Sequence, residues 1–310
     1  MTKRFLSVLV LACALGAAGA AAQPALQVGK ISEGVWAAQP AEGANVGWFV
    51  SGDGVVVVDA GSTPAIARMI LEKVAETTKK PVRALVLTHT HADHVGGARV
   101  FAASGVRVIC HENAATAVLA FLKASPDAKD PADAKVAAPA IESFSERLLL
   151  FGGSEQVNLY WLGPAHTNAD IVAYLPREKT LFSGDLAINA PIPYMQSPDC
   201  DPPGWERALV RLTGLPVEHI VPGHGVPGPA DGVQATGLYV QKTIRLARML
   251  VQNNISEEFY LPKAAEPEYR IEGVPLDDRH LANVKAVVRY ERDHAKTAAP
   301  EAKATPGKKG

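Results

Sequence analysis

Short apolar runs rich in valine, isoleucine and leucine recur along the chain and are separated by segments with helical periodicity. Runs of roughly four to eight such residues between turn residues are typical of buried strands. Because these runs are nearly continuous rather than alternating, they favour strands that are covered on both faces. We predict strands at Gly54–Asp59, Val82–Thr88, Val106–Cys110, Asn158–Leu162, Asp170–Leu175, Thr180–Ser183 and His219–Val221.

Helical patterns fill the intervals between the strands. In Thr63–Lys79, residues such as Ile66 and Val74 fall on one apolar stripe, and Pro64 lies near the start, where proline is favoured. The other predicted helices are Val95–Ala103, Glu112–Lys123, Trp205–Leu212, Val233–Gln252 and Asp277–Lys296. Strands that alternate with helices indicate a layered α/β fold.

The N-terminal segment has the pattern of an export signal. Lys3 and Arg4 precede the apolar run Phe5–Ala18. The small residues Ala20-Ala21-Ala22 that follow are of the kind that signal peptidase accepts. We therefore expect residues 1–22 to be a signal peptide, with an uncleaved anchor as the alternative. The apolar run is too short for a comfortable membrane span, so we expect a periplasmic or secreted protein without stable membrane insertion.

Composition and charge narrow the class of protein. Of 310 residues, 47% are hydrophobic and 20% charged, which is typical of a globular protein. The net charge of −1 gives no reason to expect a nucleic-acid partner. We expect one large α/β domain at residues 23–232, a helical extension at residues 233–296 and a disordered tail at residues 297–310.

Two cysteines follow the predicted cleavage site, Cys110 and Cys200. They could pair in an oxidising compartment, but two cysteines do not form a disulfide framework. We favour a buried Cys110 at a strand end and an unpaired Cys200 in a loop.

A dense cluster of potential metal ligands follows the strand Val82–Thr88. Residues 89–94 read His-Thr-His-Ala-Asp-His. His89 and His91 point the same way at an extended strand end, because side chains alternate along a strand. Asp93 and His94 fall on the following turn and can face a neighbouring position. The spacing therefore supplies two half-sites for metal ions.

Three more candidate ligands, His166, Asp185 and His224, follow later strands and are flanked by glycine or proline, which allow sharp turns. Ligands at the ends of several strands converge on one edge of a sheet. The whole set predicts a metal site. We expect Asp59, at another strand end, to orient ligands rather than bind metal itself. The remaining histidines are expected to be ordinary surface or core residues: His111, His219, His280 and His294.

These motifs together resemble the pattern of the metallo-β-lactamase superfamily over roughly residues 34–228. The resemblance implies a four-layer αββα sandwich with the site at one edge. It also implies two metal sites: His89, His91 and His166 hold the first ion, Asp93, His94 and His224 hold the second, and Asp185 bridges the two.

The ligand set indicates hydrolytic chemistry. Three imidazoles leave an open coordination position for water, which is typical of catalytic zinc. Two ions can share a hydroxide of lowered pKa, which attacks a carbonyl carbon. We therefore expect a dinuclear zinc-dependent hydrolase of a small-molecule ester, lactone, thioester or amide, with Asp93 and Asp185 as catalytic residues. Asp185 in place of a thiolate leaves iron or manganese open.

The segment Gly163–Val172 resembles that of Cys-ligated metallo-β-lactamases, with two departures. Asp185 stands where those enzymes carry cysteine, and Ile188 stands where they usually carry a lysine that binds the drug's carboxylate. Arg207 or Arg211 is a possible substitute for that lysine. A bridging aspartate instead resembles glyoxalase II and lactonases. The alternative functions are a mononuclear iron sulfur dioxygenase of the same superfamily and a metal-storage protein.

Two long segments without periodicity, Ala124–Ala140 and Asn189–Gly204, are expected to line the substrate cleft together with a hairpin around Glu42–Asn45. Four large residues are candidates for an apolar wall of this cleft: Trp48, Tyr194, Met195 and Trp205. Core packing is the alternative for the two tryptophans.

Overall fold

The structure, a computed structural model, describes residues 26–123, 139–151 and 153–298. The signal peptide predicted at residues 1–22 lies outside the described residues. So do most of the loop predicted at residues 124–140 and the part of the predicted tail beyond Ala298. Those interpretations therefore stay predictions.

The first sheet has seven strands, which pair side by side in the order of the sequence. They are β1 (Leu26–Ser32), β2 (Val35–Pro40), β3 (Val46–Val50), β4 (Val55–Val58), β5 (Val82–Val86), β6 (Arg107–His111) and β7 (Ile141–Phe144). The pairs from β1 to β4 are antiparallel. The pairs from β4 to β7 are parallel, so the carboxyl ends of these strands meet at one edge of the sheet.

The second sheet has six strands in the order β13-β12-β11-β10-β9-β8. They are β8 (Arg147–Leu150), β9 (Val157–Trp161), β10 (Ile171–Leu175), β11 (Thr180–Gly184), β12 (His219–Pro222) and β13 (Gly228–Pro229). Only β11 and β12 pair in parallel. Their carboxyl ends therefore lie together, as those of β4 and β5 do in the first sheet.

Helices cover the outer faces of both sheets. They are α1 (Pro64–Thr77), α2 (Ala92–Val95), α3 (Ala98–Ala103), α4 (Glu112–Lys123), α5 (Pro202–Thr213), α6 (Asp231–Gln252), α7 (Tyr260–Ala264) and α8 (Asp278–Ala298). In the described part of the chain, none of the helices has the length and apolar character needed to cross a membrane.

Three apolar clusters hold the layers together. Phe49, Ile171 and Phe182 belong to the cluster between the two sheets. A second cluster packs α1, α3 and α4 on the first sheet, and a third packs α5, α6 and α8 on the second. Each sheet is thus buried on both faces, as its apolar strands require. The predicted four-layer αββα sandwich with C-terminal helices is confirmed.

Every predicted strand is present, with ends that differ by one or two residues at most. The prediction of one continuous helix at Val95–Ala103 is wrong, because Gly96 and Gly97 separate α2 from α3. A Cβ atom on Gly96 would lie 2.0 Å from the carbonyl oxygen of Ser62, so this close approach of two backbones requires glycine. The sequence analysis also missed β1, β2, β3, β7, β8, β13 and α7.

Both cysteines are free, with Cys110 buried on β6 and Cys200 half-buried before α5. This confirms the interpretation favoured from the sequence. Burial raises the pKa of the Cys110 thiol to about 11, so this thiol stays protonated at neutral pH.

A buried amide fastens helix α8 to helix α6 and to the loop before α5. Asn283 is 0% exposed, and its Nδ2 donates to the Pro193 carbonyl at 2.7 Å and to the Tyr239 hydroxyl at 3.0 Å. Its Oδ1 accepts from the Met195 N–H at 3.0 Å. One turn earlier, His280 Nδ1 accepts from the same tyrosine hydroxyl at 2.8 Å. The start of α8 is therefore fixed against the loop that contains residues 193–195.

We expect Asn283→Ala to lower the free energy of unfolding by about 1–3 kcal/mol, because the Pro193 carbonyl and the Met195 N–H lose their buried partner. Chemical denaturation measures this change. Gln234→Ala, on the exposed surface of α6, is the matched control and should stay within about 0.5 kcal/mol of the parent protein. Equal stability of the two variants would show that Asn283 does not fasten α8.

Candidate metal centre

The structure brings all seven predicted ligands together at one edge of the sandwich. Six of them follow the carboxyl ends of β5, β11 and β12. The seventh, His166, lies in the connection between β9 and β10. They form two groups, His89, His91, His166 and Asp185 in one, and Asp93, His94 and His224 in the other. This placement agrees with the rule that ligands of layered α/β sheets converge at the carboxyl ends of strands.

The first group has the spacing of a metal site. Its four potential ligand atoms all lie within 4.8 Å of one another. His91 Nδ1 is 3.1 Å from His166 Nε2, which is 3.5 Å from Asp185 Oδ2. Two atoms that each lie about 2.0–2.1 Å from one tetrahedral zinc ion are separated by about 3.4 Å. The observed separations therefore fit a single ion.

The second group has similar spacing and adjoins Asp185. Asp93 Oδ2 is 3.3 Å from His224 Nε2 and 3.9 Å from His94 Nε2. Asp185 Oδ1 is 3.3 Å from His94 Nε2, and its Oδ2 is 3.5 Å from His224 Nε2. The carboxylate of Asp185 thus faces both groups.

Three buried atoms at the centre have no hydrogen-bond partner among the described residues: His89 Nε2, His94 Nε2 and Asp185 Oδ1. Buried polar atoms in proteins are nearly always paired. Two nitrogens and one carboxylate oxygen in one buried place are the donor atoms that a divalent cation prefers. The residues therefore fit metal ions, and the cluster is a His/Asp metal-binding site.

Asp59 fixes the ring orientation of two ligands. Its Oδ2 accepts from His94 Nδ1 at 2.8 Å and from the Thr88 hydroxyl at 2.9 Å. The Thr88 hydroxyl also lies 3.0 Å from His89 Nδ1. Because this hydroxyl donates its proton to Asp59, its oxygen accepts a hydrogen bond from His89 Nδ1. Both rings thus carry their proton on Nδ1 and turn Nε2 toward the centre. Asp59 adopts a φ of 64°, which costs a non-glycine residue roughly 1–2 kcal/mol.

Two other contacts orient the rings of His166 and His91. His166 Nδ1 donates to the Tyr194 carbonyl at 2.9 Å, which leaves Nε2 free to bind a cation. His91 Nε2 lies 3.3 Å from the Ser197 hydroxyl, which donates to Asp199 Oδ1 at 2.8 Å. His91 therefore presents Nδ1, the atom nearest His166, to the first group.

Burial governs the protonation of the first group. It lowers the pKa of His89 well below its usual value, lowers that of His91, and lowers that of His166 to about 4. The three imidazoles are therefore neutral at pH 7 and keep the lone pair that a metal ion needs.

Opposite charges govern the second group and Asp185. Burial acts to raise the pKa of Asp185, but the charge and hydrogen bond of His94 and the charges of His166 and His89 together outweigh it and hold that pKa well below its usual value. Burial acts to lower the pKa of His94, but Asp59 and Asp185 raise it well above its usual value. For Asp93, burial acts to raise the pKa, but the hydrogen bond from His224 and the charges of His94 and His224 together lower it. The carboxylates therefore stay anionic and favour cations between the two groups.

The turn that carries His224 is packed tightly against the site. A Cβ atom on Gly223 would lie 1.9 Å from Asp185 Oδ1, so only glycine fits there. Asn45 holds this turn, since its N–H donates to the Gly223 carbonyl at 2.7 Å and its Nδ2 to the Pro222 carbonyl at 2.9 Å. The hairpin predicted around Glu42–Asn45 is present, but it does not line the cavity as expected; through Asn45 it supports the site instead.

A cavity of about 390 Å³ opens over the two groups, and its lining is formed by His91, Ala92, Asp93, Asp185, Tyr194, His224 and Arg279. Of the four candidates for an apolar wall, only Tyr194 lies there. Trp48, Met195 and Trp205 are buried in the core instead. Burial in the core is favoured because these side chains have a large apolar surface, which a polar cleft would leave exposed to water. The indole N–H of Trp205 finds a partner there, since it donates to the Leu186 carbonyl at 2.8 Å.

The sequence analysis missed Arg279 and the pair Ser197 and Asp199. A serine two residues before an aspartate in a proline-rich loop could have indicated a local hydrogen bond. No feature of the sequence shows that α8 returns to the site. Arg207 and Arg211, the cations considered from the sequence, do not line the cavity; Arg207 lies 3.6 Å from Asp201, and Arg211 donates to the Leu162 carbonyl.

The other histidines lie outside both groups. His111 is buried, stacks on Trp161 and contacts the Ser145 carbonyl at 2.7 Å through Nε2. His280 contacts Tyr239 in the core of the helical layer. Neither His219 nor His294 belongs to the metal-binding groups.

Comparison with known proteins places this site in a family. A sequence model of the metallo-β-lactamase superfamily matches residues 40–224. The chain is 30% identical over 178 residues to the alpha subunit of 2,4-dinitroanisole O-demethylase from Nocardioides sp. strain JS1661. It is 28% identical over 180 residues to the type 2 metallo-β-lactamase of Bacillus cereus. Each match covers 56% of this chain, but only 51% and 64% of the two relatives.

Solved structures show the same fold. A metallo-β-lactamase from Pontibacter korlensis is 28% identical, with a TM-score of 0.57, and the match covers 70% of this chain and 99% of that one. The metallo-β-lactamase FIM-1 from Pseudomonas aeruginosa, solved in a mono-zinc form, is 21% identical with a TM-score of 0.56, over 70% of this chain and 95% of that one. With the family match spanning most of the sandwich and every predicted ligand in place at its edge, this chain belongs to the metallo-β-lactamase superfamily.

Proposed function

We propose that this chain is a dinuclear zinc-dependent hydrolase that cleaves an ester, lactone, thioester or amide bond in a small molecule. One observation carries the proposal. Two groups of ligand atoms face a single buried carboxylate, Asp185, and three buried atoms between them have no hydrogen-bond partner in the described part of the chain. Relatives named as metallo-β-lactamases and as a probable metallo-hydrolase of Bacillus subtilis support this chemistry.

The second group supports two ions rather than one. A mononuclear site would need only His89, His91, His166 and Asp185. Asp93, His94 and His224 nevertheless converge beside them, with ligand atoms within 4.8 Å of one another. All the donors are nitrogen or carboxylate oxygen, a set that suits zinc. These residues would hold the second ion, with Asp185 between the two.

Zinc ions, when bound, supply a Lewis acid that polarises a carbonyl group and lowers the pKa of water. The protein's own residues supply the rest. His89, His91 and His166 hold neutral nitrogens in fixed orientations, and Asp185 supplies negative charge between the groups. Asp93 remains anionic at the wall of the cavity, where its carboxylate can accept a proton from an attacking water molecule.

The cavity supports a small-molecule substrate. Its volume of about 390 Å³ lies in the range of small-ligand sites. Its lining contains neither serine nor cysteine, the side chains that most often attack an acyl group, which favours attack by water. The Tyr194 ring packs edge-on against His91, with centroids 5.8 Å apart, and forms part of the wall of the cavity. From the leader pattern in residues 1–22 alone, we also propose a periplasmic or extracellular location.

Removal of one ligand from the second group should remove one ion. We expect about two zinc ions per chain in the parent protein and about one in His224→Ala, because the first group stays intact. Elemental analysis after dialysis measures the metal content. His219→Ala is the control, since His219 lies on β12 outside both groups, and it should retain two ions. One iron per chain with oxygen uptake would instead establish the dioxygenase.

Loss of a ligand should also abolish turnover. We expect the zinc-loaded protein to hydrolyse at least one of a panel of aryl esters, lactones, thioesters and the β-lactam nitrocefin. Asp185→Ala and His89→Ala should lose this activity while keeping the circular dichroism spectrum of the parent protein. Undiminished hydrolysis in either variant would contradict the proposed role of the cluster.

Asp59→Asn tests the orientation of the ligands. Asparagine has the same size and tolerates positive φ, but an amide nitrogen in place of Oδ2 cannot accept from His94 and Thr88. We expect zinc affinity to fall by about 10–100-fold, measured by competition with a chromophoric chelator. Asp53→Asn, in the exposed turn before β4, should bind zinc as the parent protein does. Equal affinity in the Asp59 and Asp53 variants would mean that Asp59 does not orient the ligands.

A further inference from the structure

Arg279 brings a cationic side chain from the C-terminal helices to the metal cavity. It is the second residue of α8 and is exposed to solvent. It lines the same cavity as His91, Asp93 and Asp185. Helix α8 lies beyond residues 40–224, the part of the chain that matches the superfamily. Arg279 therefore reaches the site from outside the matched part of the chain.

The hydrogen-bonding capacity of Arg279 is unused. Among the described residues, none forms a hydrogen bond or ion pair with its guanidinium group. Two acidic residues precede it, but Asp277 Oδ1 accepts from the His280 N–H at 3.0 Å, and Asp278 lies in the first turn of the helix. The guanidinium can therefore donate to a molecule in the cavity.

The two other arginines considered from the sequence do not reach this cavity. Arg207 lies beside Asp201 on α5, and Arg211 contacts the Leu162 carbonyl. Among the described residues that line the cavity, Arg279 is the one lysine or arginine side chain. Its charge adds to that of the proposed metal ions, so an anionic substrate is attracted to the cavity.

The backbone of Arg279 is held in place. The His280 N–H and the Asp277 carboxylate close the first turn of α8. His280 and Asn283 then bind the Tyr239 hydroxyl at 2.8 Å and 3.0 Å. The same Asn283 holds the loop that carries Tyr194, another residue of the cavity lining. Because the backbone is already fixed, less conformational entropy is lost when the side chain binds a ligand.

We propose that Arg279 binds an oxyanion of the substrate, so that the substrates are acids with a carboxylate or phosphonate-type group close to the scissile bond. The planar guanidinium donates two parallel hydrogen bonds to either group, which an ammonium group cannot match. This inference rests on the proposed hydrolase function and names the substrate class of that site.

A matched series of esters tests the inference. The zinc-loaded protein is assayed with 4-nitrophenyl butyrate, 4-nitrophenyl hemisuccinate and 4-nitrophenyl 3-phosphonopropanoate, which share chain length and leaving group. We expect kcat/KM to be higher for at least one acid than for butyrate. In Arg279→Gln, the ratio of kcat/KM for the acid to kcat/KM for butyrate should fall about tenfold or more, because KM for the acid rises. The ratio between the two acids distinguishes carboxylate from phosphonate recognition.

Two further variants control for charge and geometry. Arg279→Lys keeps the charge but loses the paired donors, so we expect a ratio between those of the parent protein and Arg279→Gln. Arg207→Gln removes an exposed arginine outside the cavity and should leave the ratio unchanged. If Arg279→Gln and Arg207→Gln have the same ratio as the parent protein, the inference is overturned.

Binding without turnover separates this inference from the proposed function. Calorimetry on the zinc-loaded protein compares N-phenylsuccinamic acid with butyranilide. We expect tighter binding of the acid and loss of this preference in Arg279→Gln. A preference of this kind without hydrolysis of any ester would support Arg279 as an oxyanion site and contradict the hydrolase. Hydrolysis of the esters without any preference for the acids would contradict this inference alone.

Discussion

A buried carboxylate among imidazole nitrogens is the constraint on which this structure depends. Asp185 is 7% exposed, stays ionised, and leaves one oxygen without a hydrogen bond in the described part of the chain. An uncompensated charge in such a place is costly, so the arrangement favours cations beside it. The tight packing of Gly223 against Asp185 follows from the same requirement, because the turn must bring His224 close without a side chain in between.

The polar contacts behind the ligands decide which atoms face the cations. Asp59 and Thr88 hold His94 and His89 by Nδ1, and the Tyr194 carbonyl holds His166 in the same way. Asp59 adopts a positive φ, which is unfavourable for a residue with a side chain. The gain from orienting the ligands therefore outweighs the conformational preference of the Asp59 backbone. The sandwich thus supplies rigid strand ends, and the loops supply the hydrogen bonds that turn those ends into a binding site.

The ligands could be predicted from the sequence because each of them follows a strand, and local rules fix where such residues point. The break between α2 and α3 could not, because it depends on the approach of Gly96 to Ser62, a contact between distant segments. Arg279 was missed for a similar reason. Its place at the cavity depends on how α8 packs on α6, through Asn283 and Tyr239, and no local pattern encodes that packing.

The central claim is that two metal ions lie on either side of Asp185. Anomalous diffraction at the zinc absorption edge, from crystals of the zinc-loaded protein, tests it most directly. The account predicts two anomalous peaks, one beside His89, His91 and His166, and one beside Asp93, His94 and His224, with Asp185 between them. A single peak, or peaks away from these residues, would contradict it.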